Sequence, residues 1–232
     1  TVSLDTEFVR ERTYYPRLCL IQIATPKLTA CIDCLADLEL RPLFESLLDA
    51  RSTWVLHSAR QDLEVIHQHI GRLPTRLIDT QIAAGLLGHS PQISLQDLLQ
   101  RVLGIKLDKT YARTDWAERP LPEPAMRYAL DDVRHLNGLW QALKTELQRR
   151  HRLGWLEEDC RRALDAPLVT PAATLWARLR GLGSLEARAR CVALSLVEWR
   201  ERCARKLNRP RRWIMSDALL LRIADTLPTT RE

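Results

Sequence analysis

The chain has 232 residues, with 35 Lys/Arg against 29 Asp/Glu, a formal net charge of +6 and 46% hydrophobic residues. That length holds one large domain, or one of about 165 residues plus a small one. No run of about 18 apolar residues occurs, which excludes a membrane-spanning helix.

Six cysteines at positions 19, 31, 34, 160, 191 and 203 show no disulfide framework and suit a reducing cytosol. Cys31-x-x-Cys34 lacks the second Cys/His pair that a zinc site needs. The charge is uneven: residues 1–165 carry 22 Lys/Arg and 23 Asp/Glu, whereas residues 166–232 carry 13 and 6. Affinity for a polyanion is therefore expected of the C-terminal segment.

The chain opens inside an apolar strand that runs to about Asp5, so residues upstream of Thr1 are expected. Asp5 and Glu7 are two apart and share one face of an extended chain. At about 4 Å and an effective dielectric of about 20, two such charges repel by roughly 4 kcal/mol. A hard cation such as Mg²⁺ removes that repulsion; two solvated acids on an edge strand are the alternative. Strands at Leu18–Thr25 and Leu28–Asp33, joined by Pro26-Lys27, read as an antiparallel pair. Leu43, Phe44, Leu47 and Leu48 mark a helix over Arg41–Leu48.

A further strand, Thr53–His57, leads into Ser58, read as the cap of a helix with Leu63, Ile66 and Ile70 on one stripe. Asp62 falls in its first turn, where the helix dipole favours an anion. His57 is either a substrate contact or a strand-end core residue. Leu77-Ile78 is a short strand before a helix at Gln81–Leu87. Ser94 caps a helix at Leu95–Leu103 that Gly104 ends. Residues 105–122 form a long loop rich in Thr, Asp, Arg and Pro, and Lys106, Lys109, Arg113 and Arg119 make it an alternative path for a polyanion.

Pro122 and Pro124 start a helix expected to run to about Arg149. Tyr128 and Asp132, four apart, share a face, whereas Asp131 is rotated by about 100°. Another helix covers Leu153–Leu164. Residues 166–174, with Pro167 and Pro171, read as a linker between a domain of residues 1–165 and a helical one of residues 175–232. Within the latter, Asn208–Ile214 breaks the helical pattern and Ser216-Asp217 caps a last helix at Ala218–Ala224.

Asp-x-Glu on a first strand, Asp after a later strand, and Tyr-x-x-x-Asp on a helix form one ordered set. It resembles the DEDD exonuclease superfamily in its Tyr-containing subgroup. Leu4–Phe8, Thr13–Pro16, Leu18–Gln22, Asp62–Val65, Leu77–Gln81, Leu107–Lys109, Thr114–Trp116 and Arg119–Leu121 resemble the ribonuclease D family, over residues 1–165. Residues 175–232 resemble an HRDC domain, a small helical nucleic-acid-binding module. Ribonuclease D usually carries two of these; one is present before the chain stops at Glu232.

The resemblance implies an α/β, ribonuclease-H-like mixed-sheet exonuclease domain followed by a small all-α domain. It implies 3′–5′ hydrolysis of RNA with a free 3′ end, transfer-RNA precursors among them, in the cytoplasm and without an obligate protein partner. Two Mg²⁺ or Mn²⁺ ions are implied on Asp5, Glu7, Asp62 and Asp132. Tyr128 is implied to orient the attacking water or accept its proton, with Thr6 and Phe8 against the terminal nucleotide. A DNA 3′–5′ exonuclease of the same superfamily and a non-catalytic RNA-binding protein remain the competing readings.

Overall fold

In the computed structural model, residues 1–107, 111, 114–168 and 172–227 are described. Five strands, β1 Val2–Val9, β2 Arg17–Ala24, β3 Thr29–Asp33, β4 Trp54–Leu56 and β5 Leu77–Asp79, form one sheet in the order β3-β2-β1-β4-β5. β2 runs antiparallel to β1 and β3, while β4 runs parallel to β1 and β5. The sheet is mixed, as the order of elements implies. β1 continues past Asp5 to Val9, because pairing with β2 carries it through the polar residues where the apolar pattern stops, across a register shift at Glu7/Phe8.

The helices that follow are α1 Arg41–Leu47, α2 Arg60–Ile70, α3 Thr80–Leu86, α4 Leu95–Leu103, α5 Glu123–Arg134, α6 Leu136–Arg149 and α7 Leu153–Asp165. Ser94 caps α4 by accepting the Asp97 N–H, and Gly104 ends it in the left-handed region at φ 71°. Ser58 does not cap α2. It stands at φ 59°, and Asp79 accepts the N–H groups of Ser58 at 3.0 Å and Ala59 at 2.9 Å. Asp79 also accepts the Gln81 N–H at 2.8 Å. One buried carboxylate thus serves the starts of two helices, and both dipoles favour its charge.

The single helix expected from Pro124 to Arg149 is two, divided at His135. α5 packs on β1, β2 and β3, whereas α6 packs on β4, α3 and α4. The break lets each segment bury its own stripe: Ala125, Ala129, Asp132 and Val133 in α5, then Leu136, Leu139, Trp140, Leu143 and Leu147 in α6.

Of the long loop, Asp108, Lys109 and Arg113 lie outside the described residues. Its later part is strapped to the sheet by Arg119. The guanidinium meets the Asp33 carboxylate with Nε at 2.7 Å and Nη2 at 2.6 Å, and donates to the carbonyls of Cys19 and Trp116 at 3.1 and 2.9 Å. This fork holds the Asp33 carboxyl down at about 2. An acid lowered below its ordinary range stabilises the fold above that range, and the contribution disappears as pH falls toward the folded value. Asp33→Asn is expected to flatten the loss of stability between about pH 4 and pH 2, by an amount near 1 kcal/mol because the pair is partly solvated. Urea titrations at pH 2.5 and pH 6 check it: an unchanged pH dependence would show that the pair contributes nothing.

The chain divides into two compact units: Thr1–Val9 with Arg17–Ala166, and Arg10–Pro16 with Pro167–Glu232. The second contains α8 Ala172–Ala177, a 3₁₀ turn at Leu182–Ser184, α9 Ala187–Leu207, α10 Arg211–Ile214 and α11 Asp217–Thr226. α8 begins inside the segment expected to be a linker. Leu179, Ala193, Val197, Leu220 and Ala224 form the core. Asn208, left-handed at φ 47°, stops α9, and Ser216 caps α11 through the Leu219 N–H.

Residues 10–16 join this unit through polar contacts. Asn208 accepts the N–H groups of Tyr14 and Tyr15, both at 3.1 Å. The Tyr14 hydroxyl donates to Glu201, which also receives Arg205 and Arg211. Among the described residues, no helix is long and apolar enough to cross a membrane.

Candidate active site

Strand alternation puts Ser3, Asp5 and Glu7 on one face of β1, and Leu4 and Thr6 on the other. Residues directly opposite in an antiparallel pair share a face. Gln22 faces Asp5 and Leu20 faces Glu7 across the β1–β2 pair. α5 covers this region and brings in Asp132, 8% exposed. One carboxylate oxygen each from Asp5, Glu7 and Asp132 lies within 4.8 Å of the others. Among the described residues, this is the group suited to a metal ion.

Asp62, in the first turn of α2, is buried. Its Oδ1 accepts the Thr6 N–H at 3.1 Å and the Thr6 hydroxyl at 2.5 Å. It is not among the three acids that meet within 4.8 Å, but it is close enough to raise Glu7 and to be raised by Asp5. Thr6, 5% exposed, spends both donors on this carboxylate. Phe8 is half-buried just after the register shift.

Crowding shows in the protonation of all four acids. Burial and then Asp132 raise Asp5 to about 7, opposed by the Thr6 N–H. Burial and then Asp5, Asp132 and Asp62 raise Glu7 to about 9. Burial and then Asp131 raise Asp132 to about 7, opposed by the Tyr128 hydroxyl. Burial and then Asp5 raise Asp62. Carboxylates gathered in this way, mutually raising their proton affinity, form an all-oxygen donor set that fits a hard divalent cation. Ser3 Oγ and both amide atoms of Gln22 are buried without a protein partner on the same face.

Tyr128 lies one helical turn before Asp132, and its ring stands 6.3 Å from that of Trp116. Burial, followed by the charges of Asp132, Glu7 and Asp5, raises its phenol above the ordinary range. Asp131 lines the smaller of two cavities beside Asp132 and pairs with Arg134 at 2.8 Å, outside the three-acid group.

Two cavities flank Asp132. One, of about 200 Å³, is lined by Asp5, His57, Leu95, Gln96, Asp132 and Leu136. The other, of about 140 Å³, includes Leu107, Tyr111, Arg127 and Tyr128. His57 edges the first cavity, but both its nitrogens are engaged, Nδ1 with Thr80 Oγ1 and Nε2 with the Ile93 carbonyl, each at 2.9 Å. Burial lowers its pKa.

The positions of Gln22, Asp79 and Trp116 near the site are not evident from the sequence pattern, although Gln22 is the lone polar residue in Leu18-Cys19-Leu20-Ile21-Gln22-Ile23. The other two depend on long-range contacts.

A family profile described as 3′-5′ exonuclease matches residues 1–148, and an HRDC domain profile matches residues 174–232. Ribonuclease D of Bartonella henselae is 38% identical over 98% of this chain and 56% of its own length. The crystal structure of Escherichia coli RNase D, an exoribonuclease involved in structured RNA processing, superimposes with a TM-score of 0.90. It is 33% identical and covers 99% of this chain and 61% of that one. Brucella melitensis NrnC with bound Mg²⁺ gives a TM-score of 0.63 at 26% identity, covering 71% and 81%. The chain thus spans about three fifths of the length of the ribonuclease D relatives it matches.

Proposed function

Since the chain belongs to the 3′–5′ exonuclease family, we propose that it hydrolyses phosphodiester bonds from the 3′ end of RNA, releasing mononucleotides with the help of divalent cations. The observation that carries this reading is the convergence of Asp5, Glu7 and Asp132 within 4.8 Å beneath the Tyr128 helix. Asp5, Glu7 and Asp132 would hold one cation. Asp5 would share a second with Asp62, whose orientation Thr6 fixes. When bound, such cations neutralise phosphate charge, make water more acidic and stabilise the leaving 3′ oxygen. Mg²⁺ or Mn²⁺ fits the donor set, and Mg²⁺ is bound by the Brucella neighbour.

Tyr128 orients the attacking water through its hydroxyl. A phenol with an ordinary pKa of about 10 is a poor base at neutral pH, so positioning the water is the role proposed for it. The cavity beside Asp5 accepts the terminal nucleotide, with Leu95 and Leu136 as apolar walls and Gln96 as a polar contact. Phe8, half-buried just beyond Glu7 on β1, is assigned to the terminal nucleotide on the family resemblance. Thr6 acts on substrate through Asp62, and His57 shapes the wall while its nitrogens stay occupied. The ribonuclease D relatives favour RNA, with 3′-extended transfer-RNA precursors and other small structured RNAs in the cytoplasm as substrates. The helical unit contributes nucleic-acid affinity.

A time course on 3′-tailed transfer RNA beside matched single-stranded DNA, with and without chelator, tests the reading. Stepwise shortening of RNA is expected, abolished by EDTA and restored by Mg²⁺ or Mn²⁺. Faster turnover of DNA would assign the site to the DNA exonucleases of this superfamily. Binding without hydrolysis in either metal would make the chain a nucleic-acid-binding protein.

A further inference from the structure

The second unit holds a cavity of about 150 Å³ whose lining includes Arg178, Arg200, Glu201, Arg211, Arg212 and Asp217. Four arginines meet two carboxylates there, and the carboxylates are already engaged. Glu201 is saturated by Tyr14, Arg205 and Arg211. Asp217 Oδ1 accepts from Arg200 Nη1 at 2.6 Å. Among the described residues, Arg178 and Arg212 have no acidic partner, and both are exposed.

Arg200 is different: it is 7% exposed, with Nη1 bonded to Asp217 and the Met215 carbonyl, yet its Nε is buried with no partner. A buried guanidinium N–H left unbonded is unfavourable. An oxyanion in the cavity would receive it, beside two exposed guanidinium groups suited to phosphate geometry. Next to Arg212, Trp213 is 57% exposed, with Arg209 5.6 Å from its ring. An exposed indole beside a phosphate site suits a strand that stacks its bases.

We propose that the cavity between α8, α9 and α10 binds a backbone phosphodiester of a single-stranded RNA, with Arg178 and Arg212 as the exposed clamp and Arg200 Nε as the fixed donor. The proposal rests on the reading of the chain as acting on a nucleic-acid strand. It adds a defined phosphate site away from the acids. A phosphate monoester, such as a released mononucleotide, has the same recognition chemistry and is the alternative source.

The test uses the full chain in EDTA, where nothing is hydrolysed, and a labelled oligouridylate of about 20 nucleotides. Arg178→Ala with Arg212→Ala is expected to weaken binding about tenfold. It should also make the slope of log affinity against log salt shallower by about 1.4, at about 0.7 per phosphate contact. Arg188→Ala with Arg202→Ala removes the same charge from exposed positions of α9 outside the cavity lining and should cost much less. Millimolar uridine monophosphate should not displace the strand.

Equal losses from the two double variants, in protein shown folded by circular dichroism, would overturn the site. Displacement by the monophosphate that disappears in Arg178→Ala/Arg212→Ala would overturn the phosphodiester assignment. Metal-dependent hydrolysis of a saturating trinucleotide, read on the same proteins, should be unchanged. Its absence in the unmodified chain would sink the exonuclease reading while leaving the binding test intact.

Discussion

Asp5→Asn is expected to lower single-turnover hydrolysis by at least about 10³, because losing about 4 kcal/mol of cation-mediated stabilisation corresponds to that factor. Asn keeps the shape and removes the charge at the centre of the cluster. Glu7→Gln, Asp62→Asn and Asp132→Asn should follow in the same direction. Asp131→Asn should be mild, since its carboxylate pairs with Arg134. The metal-free protein should respond in the opposite sense. The folded pKa values of Asp5 and Glu7 are raised to about 7 and about 9. In chelator, stability should therefore fall as pH rises from the ordinary carboxylate range through those values, the reverse of the usual carboxylate behaviour. Asp5→Asn should flatten that decline and raise the Tm at neutral pH while abolishing turnover. Calorimetric scans in EDTA at pH 5 and pH 8, beside quenched-flow hydrolysis in Mn²⁺, measure both. A variant that turns over normally, or that loses stability in EDTA, would remove Asp5 from the charge cluster.

Tyr128→Phe comes next in size. It keeps the ring, and hence the packing against Trp116 at 6.3 Å, and removes one hydroxyl. Groups that position or move a proton typically contribute about 10² to 10⁴ in rate. Turnover should fall within that range, with the Kd for Mn²⁺ and for RNA little changed. Near-normal turnover would leave the hydroxyl a purely structural partner of Asp132. A matching loss of RNA affinity would make Tyr128 a binding residue.

The acids are legible in the sequence because regular elements have fixed periods. A two-residue period puts Asp5 and Glu7 on one face, and a four-residue spacing separates Asp132 from its neighbour Asp131. Ser94, Gly104 and Ser216 are legible for a related reason: their effects are local. Sequence patterns mislead where distant residues decide. Ser58 has the character of a cap, but Asp79 holds the start of α2 from 20 residues away. The expected long helix breaks at His135 because its two halves meet different partners. Asp62 falls in the expected turn, yet its bond to Thr6 follows from strand and helix meeting in space. The membership of residues 10–16 in the helical unit also has no local signature.

That last membership bears on how such a protein can be assembled over time. Modules joined end to end can be exchanged by a single recombination in the gene. This polypeptide passes from one unit to the other after Val9, returns at Arg17 and leaves again after Ala166. A transplanted helical module would arrive with Glu201 and Asn208 but without the hairpin connection that supplies Tyr14 and the Tyr15 N–H. The receptor segment and its seven-residue counterpart must then drift as a matched set, so a chimera cut only at residue 166 would inherit half of a lock.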